Sequence, residues 1–198
     1  HAVSFKWCSY NDNNDSDILT CPVYSNGALS LLNTYAINQT ASIYAENNTV
    51  TIADFIGVWS TNDYCIYIDG AGENISITHF DLFQNYGGVK LVNNNGNEII
   101  KNGIIHSNNV NGINAETAIT ITNCVDTDTD TNITLGNYCS TANPQYLNEG
   151  YIPAQLDLNI KSRAMGYKVN SPALDLADDD RNSGAYNVLY ITVSTSWS

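Results

Sequence analysis

The side chains able to do acid–base, nucleophilic or metal chemistry are few in this chain and spread out. The fixed cations are Lys6, Lys90, Lys101, Lys161, Arg163, Lys168 and Arg181, and they do not converge on one stretch. A lyase needs a base close to a cation that stabilises the developing enolate, and no such pairing is legible. Asp54, Asp69, Asp81 and Glu98 fall in the most regular part of the chain, yet no two form an evident pair of the kind glycoside hydrolysis requires. No catalytic residue is assigned on this basis. Asp126-Thr-Asp128-Thr-Asp130 is a dense acidic alternation. In an extended segment it puts three carboxylates on one side, where they repel unless water or an oxygen-seeking cation intervenes. The two readings are calcium at Asp126, Asp128 and Asp130, or a solvated turn. No other cofactor is called for.

Three further sets of residues carry covalent or recognition chemistry. Of the five cysteines, Cys8 and Cys21 are close in sequence, as are Cys124 and Cys139. Two local disulfides, Cys8–Cys21 and Cys124–Cys139, are expected, with Cys65 left over; free thiols buried in a core are the alternative. Asn-x-Ser/Thr sequons at Asn14, Asn38, Asn47, Asn74 and Asn132 are glycosylation candidates. A chain this rich in Asn, Ser and Thr also produces such triplets by accident. Tyr44 and Tyr67, with Trp59 nearby in sequence, are candidates for stacking on sugar rings, or else form an ordinary aromatic ladder on a sheet.

These residues are positioned by a repeat. Leu31, Ile52, Ile77, Ile100 and Ile121 recur at spacings of 21, 25, 23 and 21 (52−31, 77−52, 100−77, 121−100), each followed two places on by Asn33, Asp54, His79, Asn102 or Asn123. A second series, Ile43, Ile66, Val89, Ile113 and Ile133, recurs at 23, 23, 24 and 20 (66−43, 89−66, 113−89, 133−113). Phe5 and Ile18 extend the two series backward. A period of twenty-odd residues belongs to a solenoid, whose coils bury their apolar sides against one another. The local in-out-in pattern of Ile66-Tyr67-Ile68 is strand periodicity, and the Asn, Gly, Asp and Thr clusters between are turn chemistry. The stretch from Ala28 to Ala36 reads as a strand or a short capping helix, with the strand preferred because Leu31 keeps register. Stacked polar residues at one register predict an imperfect hydrogen-bonded ladder along the axis.

Segments such as Ile100-Lys101-Asn102-Gly103 followed by Asn111-Gly112-Ile113 resemble the coils of right-handed parallel β-helix proteins, the pectin-lyase-like group. From Asn143 the period fails. Asn143-Pro144-Gln145-Tyr146, Ser171-Pro172-Ala173-Leu174-Asp175 and Gly184-Ala185-Tyr186 resemble the C-terminal segment of many secreted members, a resemblance that implies a cap over the last coil. The fold expected is all-β: one parallel β-helix domain, 1–198, of five or six coils. Residues 1–30 form a poorer coil or cap, 31–142 the regular coils, and 143–198 a C-terminal cap ending in a strand over 188–197. The resemblance raises polysaccharide cleavage as a question, because lyases and hydrolases use this scaffold, but a scaffold does not carry an activity.

Bulk properties narrow the partners. The net charge of −13 disfavours nucleic acid and anionic membranes, and no run reaches the roughly 18–20 apolar residues a membrane helix needs. A polar, hydroxyl-rich composition suits an extracellular or cell-surface setting. The function expected is that of a non-catalytic structural protein, a filament, stalk or surface-layer subunit that self-assembles through its coil ends or its C-terminal strand. The alternatives are a polysaccharide-acting lyase or hydrolase, and a glycan-binding adhesin module.

Overall fold

The computed structural model describes residues 3–6, 9–11, 23–25, 27–37, 43–46, 49–70, 74–149, 156–160, 171–174, 176–179 and 183–184. All regular elements among them are strands. In chain order these are β1 (Val3–Lys6), β2 (Ser9–Asn11), β3 (Val23–Ser25), β4 (Leu29–Ile37), β5 (Ile43–Glu46), β6 (Val50–Val58), β7 (Tyr64–Asp69), β8 (Ile75–Phe83), β9 (Gly87–Val92), β10 (Ile99–His106), β11 (Ile113–Ile121), β12 (Val125–Asp126), β13 (Thr131–Leu135), β14 (Tyr146–Glu149) and β15 (Leu156–Ile160). One parallel sheet runs β1-β4-β6-β8-β10-β12, with β2 also on β4; the other runs β13-β11-β9-β7-β5-β3. The chain alternates between them, so it is a parallel β-solenoid of about four turns. The five or six coils read from the sequence overcount. β12 has only two residues, and the coil containing β13 is shortened.

The aliphatic columns follow the spacing. Leu31 pairs with Ile52, Ile52 with Ile77 and Ile77 with Ile100, and Phe5 extends the column by pairing with Leu31. Ile43, Ile66, Val89 and Ile113 form the second column. Each aliphatic residue in these columns from Leu31 on is buried in one continuous core, worth roughly 1.5–3 kcal/mol per side chain. The Ala28–Ala36 stretch is strand, as β4. Two column members differ from expectation. Val23, not Ile18, stands beside Ile43; Ile18 lies outside the described residues. Ile133 pairs with Ile119, not Ile113, because a bulge in β11 leaves residues 116–118 exposed and lets the last coil step across in 14 residues (133−119).

The polar residue after each aliphatic one has a backbone role. Asp54, His79, Asn102 and Asn123 have φ of 52°, 51°, 59° and 54°. Asn, Asp and His are the non-glycine residues best tolerated there. One left-handed residue in mid-strand changes which alternate positions face inward. In β6, Val50 and Ile52 face the core before the bend, and Phe55 and Gly57 after it. The strand therefore turns Ile56 and Val58 outward. With Phe83, Ile104 and Val125 they make an apolar stripe on the outside of the sheet, packed against Tyr146, Ala173, Leu174 and Leu176. A Cβ on Gly57 would sit 2.2 Å from the Cys65 sulfur, so this glycine makes the room in which Cys65 is buried.

Candidate functional site

The polar column finds partners off its own axis at His79, Asn102 and Asn123. It is met by the C-terminal segment, which lies lengthwise across successive coils. His79 Nε2 is 3.2 Å from Asp179 Oδ1, Asn102 Nδ2 donates to Asp178 Oδ1 at 2.7 Å, and Asn123 Nδ2 donates to the Leu176 carbonyl at 2.8 Å. Ser183 Oγ donates to the Asn123 carbonyl, and the Gly184 N–H donates to the Asn102 carbonyl at 2.8 Å. Lys101 adds an ion pair to Asp178 at 2.6 Å, and these donors hold the Asp178 carboxyl below its ordinary range. Beneath the segment, Tyr146 OH donates to Asp81 Oδ1 at 2.6 Å; both residues are buried. Burial and the Asp81 carboxylate push the Tyr146 phenol well above its ordinary value. Ser171 Oγ donates to the Pro144 carbonyl. Residues 188–197 lie outside the described residues.

A true side-chain ladder does run along the axis, at a corner the sequence pattern did not single out. Asn85 Oδ1 accepts from the Ser60 N–H at 3.0 Å, Asn108 Oδ1 from the Asn85 N–H at 2.9 Å, and Asp128 Oδ2 from the Asn108 N–H at 3.0 Å. The amide nitrogens of Asn85 and Asn108 donate onward to Asn108 Oδ1 and Asp128 Oδ2, and sideways to the carbonyls of Gly57 and Leu82. The spacings of 25, 23 and 20 (85−60, 108−85, 128−108) are the solenoid period, and that was the available signal.

The ladder ends at the acidic alternation. Asp126 Oδ1 accepts from the Asp128 N–H, Asp128 from Asn108, and Asp130 Oδ1 from the Ile113 N–H at 2.7 Å. The three carboxylates thus terminate donors where the coil shortens. Asp126 is buried and its Oδ2 meets no donor. Burial, then the hydrogen bond and charge of Asp130, push its carboxyl up to about 9, so a proton shared with Asp130 leaves the pair a single negative charge. Among the described residues, no group of three or more His, Cys, Asp or Glu has an arrangement that could hold a metal ion.

The other sequence candidates separate. Tyr44 and Tyr67 stack on each other, with ring centroids 4.8 Å apart and planes 7° apart, and Tyr24 stacks on Tyr44 at 5.4 Å. Their faces are spent on one another, which is the aromatic ladder. Lys90 and Asn114 continue the column, joined at 3.1 Å. Trp59 is not with them: it packs on the apolar stripe, and its Nε1 donates to Gln84 Oε1 at 2.8 Å. Asn74 is exposed in the turn before β8. Asn132 is exposed but has φ 58°, and its Nδ2 donates to the carbonyls of Ala115 and Glu116. Asn14, Asn38, Asn47, Cys8 and Cys21 lie outside the described residues. The expected Cys124–Cys139 disulfide is corrected: both are free thiols on adjacent rungs, donating to the Thr122 and Ile121 carbonyls, with Cys124 in the core. Burial raises both thiols above their ordinary value, which makes them poor thiolates.

The structure also joins residues that the sequence reading had not paired. His106, buried at the end of β10, stacks on Phe83. Its Nδ1 is 2.7 Å from Thr127 Oγ1, and its Nε2 is 3.2 Å from Ser107 Oγ, 3.4 Å from Asn143 Nδ2 and 3.7 Å from Glu149 Oε1. Burial lowers the His106 pKa, with Glu149 and Asp128 opposing.

No family model matches this chain, and neither a curated protein nor a solved structure does.

Proposed function

We propose that this chain is a structural subunit of an extracellular or cell-surface assembly, a right-handed β-helix of the pectin-lyase-like kind whose copies join end to end. The observation that carries this reading is the edge strand β13, Thr-Asn-Ile-Thr-Leu. It has no charge, no lysine and no proline, and Thr131, Asn132, Thr134 and Leu135 are all exposed. Soluble proteins guard long parallel edges with such residues, and an unguarded edge is a template for another strand. The opposite end of the same sheet is β3, whose Tyr24 is 57% exposed. Joining one end to the other is a heterologous contact, and such contacts extend into filaments when the rotation does not close. Exposed Asn74 is the described sequon best placed to carry a glycan. Asn132 would have to give up two hydrogen bonds to do so.

Electron microscopy and light scattering over a concentration series test the assembly. Filaments or concentration-dependent oligomers are expected, and Leu135→Lys, which charges the edge, should reduce them to monomers. Wild-type monomers at every concentration would overturn the reading.

A further inference from the structure

From the hydrogen-bond directions around His106 we infer a nucleophilic serine site: Ser107 attacks uncharged carboxylic esters with His106 as its base. The directions follow from what each atom can donate. Asp128 Oδ1 can only accept as a carboxylate, so the Thr127 hydroxyl, 3.4 Å away, points its proton there. Thr127 Oγ1 then accepts from His106 Nδ1 at 2.7 Å, which places the ring proton on Nδ1. The shorter contact on Nδ1 sets the tautomer against the Glu149 carboxylate, which lies 3.7 Å from Nε2; Nε2 then accepts from Ser107 Oγ at 3.2 Å, with Asn143 Nδ2 beside it at 3.4 Å. The chain Ser107–His106–Thr127–Asp128 therefore runs from a nucleophile through a base to an orienting carboxylate, the logic of an activated hydroxyl. Phe83 and Tyr146 enclose the ring, and that enclosure keeps the imidazole uncharged at neutral pH, ready to take a proton.

Two further features fit the site. Ser107 is exposed, although the ring behind it is not, and its φ of 59° is the corner conformation it shares with Trp59 and Gln84 on the coils before it. Asn143 Oδ1 is pinned by the Gln145 N–H at 2.7 Å and by Gln145 Nε2 at 3.1 Å. Its Nδ2 is thereby aimed at His106, where it can donate to an oxyanion. The step balances without a cofactor. Ser107 Oγ bonds to the ester carbonyl carbon as its proton passes to Nε2. That proton leaves with the alcohol as the C–O bond breaks. Water repeats the sequence, freeing the acid and restoring the serine. The net charge of −13 favours uncharged esters over acidic ones. The inference does not rest on end-to-end assembly.

A fluorophosphonate probe and p-nitrophenyl acetate test it on the purified chain. The wild type should be labelled at one serine, mapped by mass spectrometry to Ser107, and should release p-nitrophenol with a burst. Ser107→Gly, which keeps the left-handed backbone, should lose both. His106→Gln, checked for folding by circular dichroism, should lower the labelling rate on the order of 10²-fold. No labelling of the folded wild type above a heat-unfolded control would overturn the assignment, as would labelling that survives Ser107→Gly.

Discussion

Two polar columns run along the solenoid at the same period, one within a sheet and one at its corner, and they do different work. Asp54, His79, Asn102 and Asn123 are chosen for a backbone angle, and the side chains of His79, Asn102 and Asn123 are met from outside by the C-terminal segment. Ser60, Asn85, Asn108 and Asp128 are chosen for hydrogen bonding, and they satisfy one another's backbone groups from coil to coil. Periodicity alone therefore says that a position recurs, not why. In the first column the residue types are interchangeable so long as they tolerate positive φ. In the second, the donor and acceptor count is the constraint.

The largest effect should come from the ladder. Asn85→Ala leaves the buried Ser60 N–H and the Gly57 carbonyl without their side-chain partner, at about 3–5 kcal/mol. Thermal unfolding should show Tm falling by roughly 10 °C for a chain of this size. The bend column should depend on the substituent. Asn102→Val forces a β-branched residue to positive φ and should cost about 3 kcal/mol, whereas Asn102→Gly keeps the angle, loses only the Asp178 contact, and should cost about 1. Equal losses for the two variants would mean that the side chain, not the angle, is what matters there.

The end of the ladder should titrate. Asp126 binds its proton more tightly when folded, so this group's stabilising contribution is present below about pH 4 and is lost as pH rises toward about 9. Comparing stabilities at pH 5 and 8, wild type should lose roughly 4 kcal/mol more than Asp126→Asn, which cannot ionise. Identical slopes would remove the shared proton from the account. The smallest effect belongs to Lys101→Ala. Its pair with Asp178 is exposed, and it should contribute less than about 1 kcal/mol, against the larger cost at Asn102 beside it.

The sequence made the inward columns legible because burial leaves a spacing behind. Leu31, Ile52, Ile77 and Ile100, and separately Ile43, Ile66, Val89 and Ile113, stand where that spacing put them. Ile133 did not, because a bulge changes register without changing the apolar pattern. The column Asp54–Asn123 was visible as polar residues, but its angle was not. Nor was the outer stripe of Ile56, Phe83 and Ile104, whose outward facing follows from that angle. The ladder mixes Ser, Asn and Asp among many Asn outside it, so its period was lost in composition. Ser107, His106 and Thr127 meet through a coil turn. Asn143 reaches them from a segment with no repeat at all.

Filament images of the purified chain, analysed by their power spectra, test the end-to-end account most directly. If copies stack coil on coil, the strand spacing of about 4.8 Å must lie along the filament axis. A filament with that spacing across its axis, or a preparation that holds only monomers at all concentrations, would contradict it.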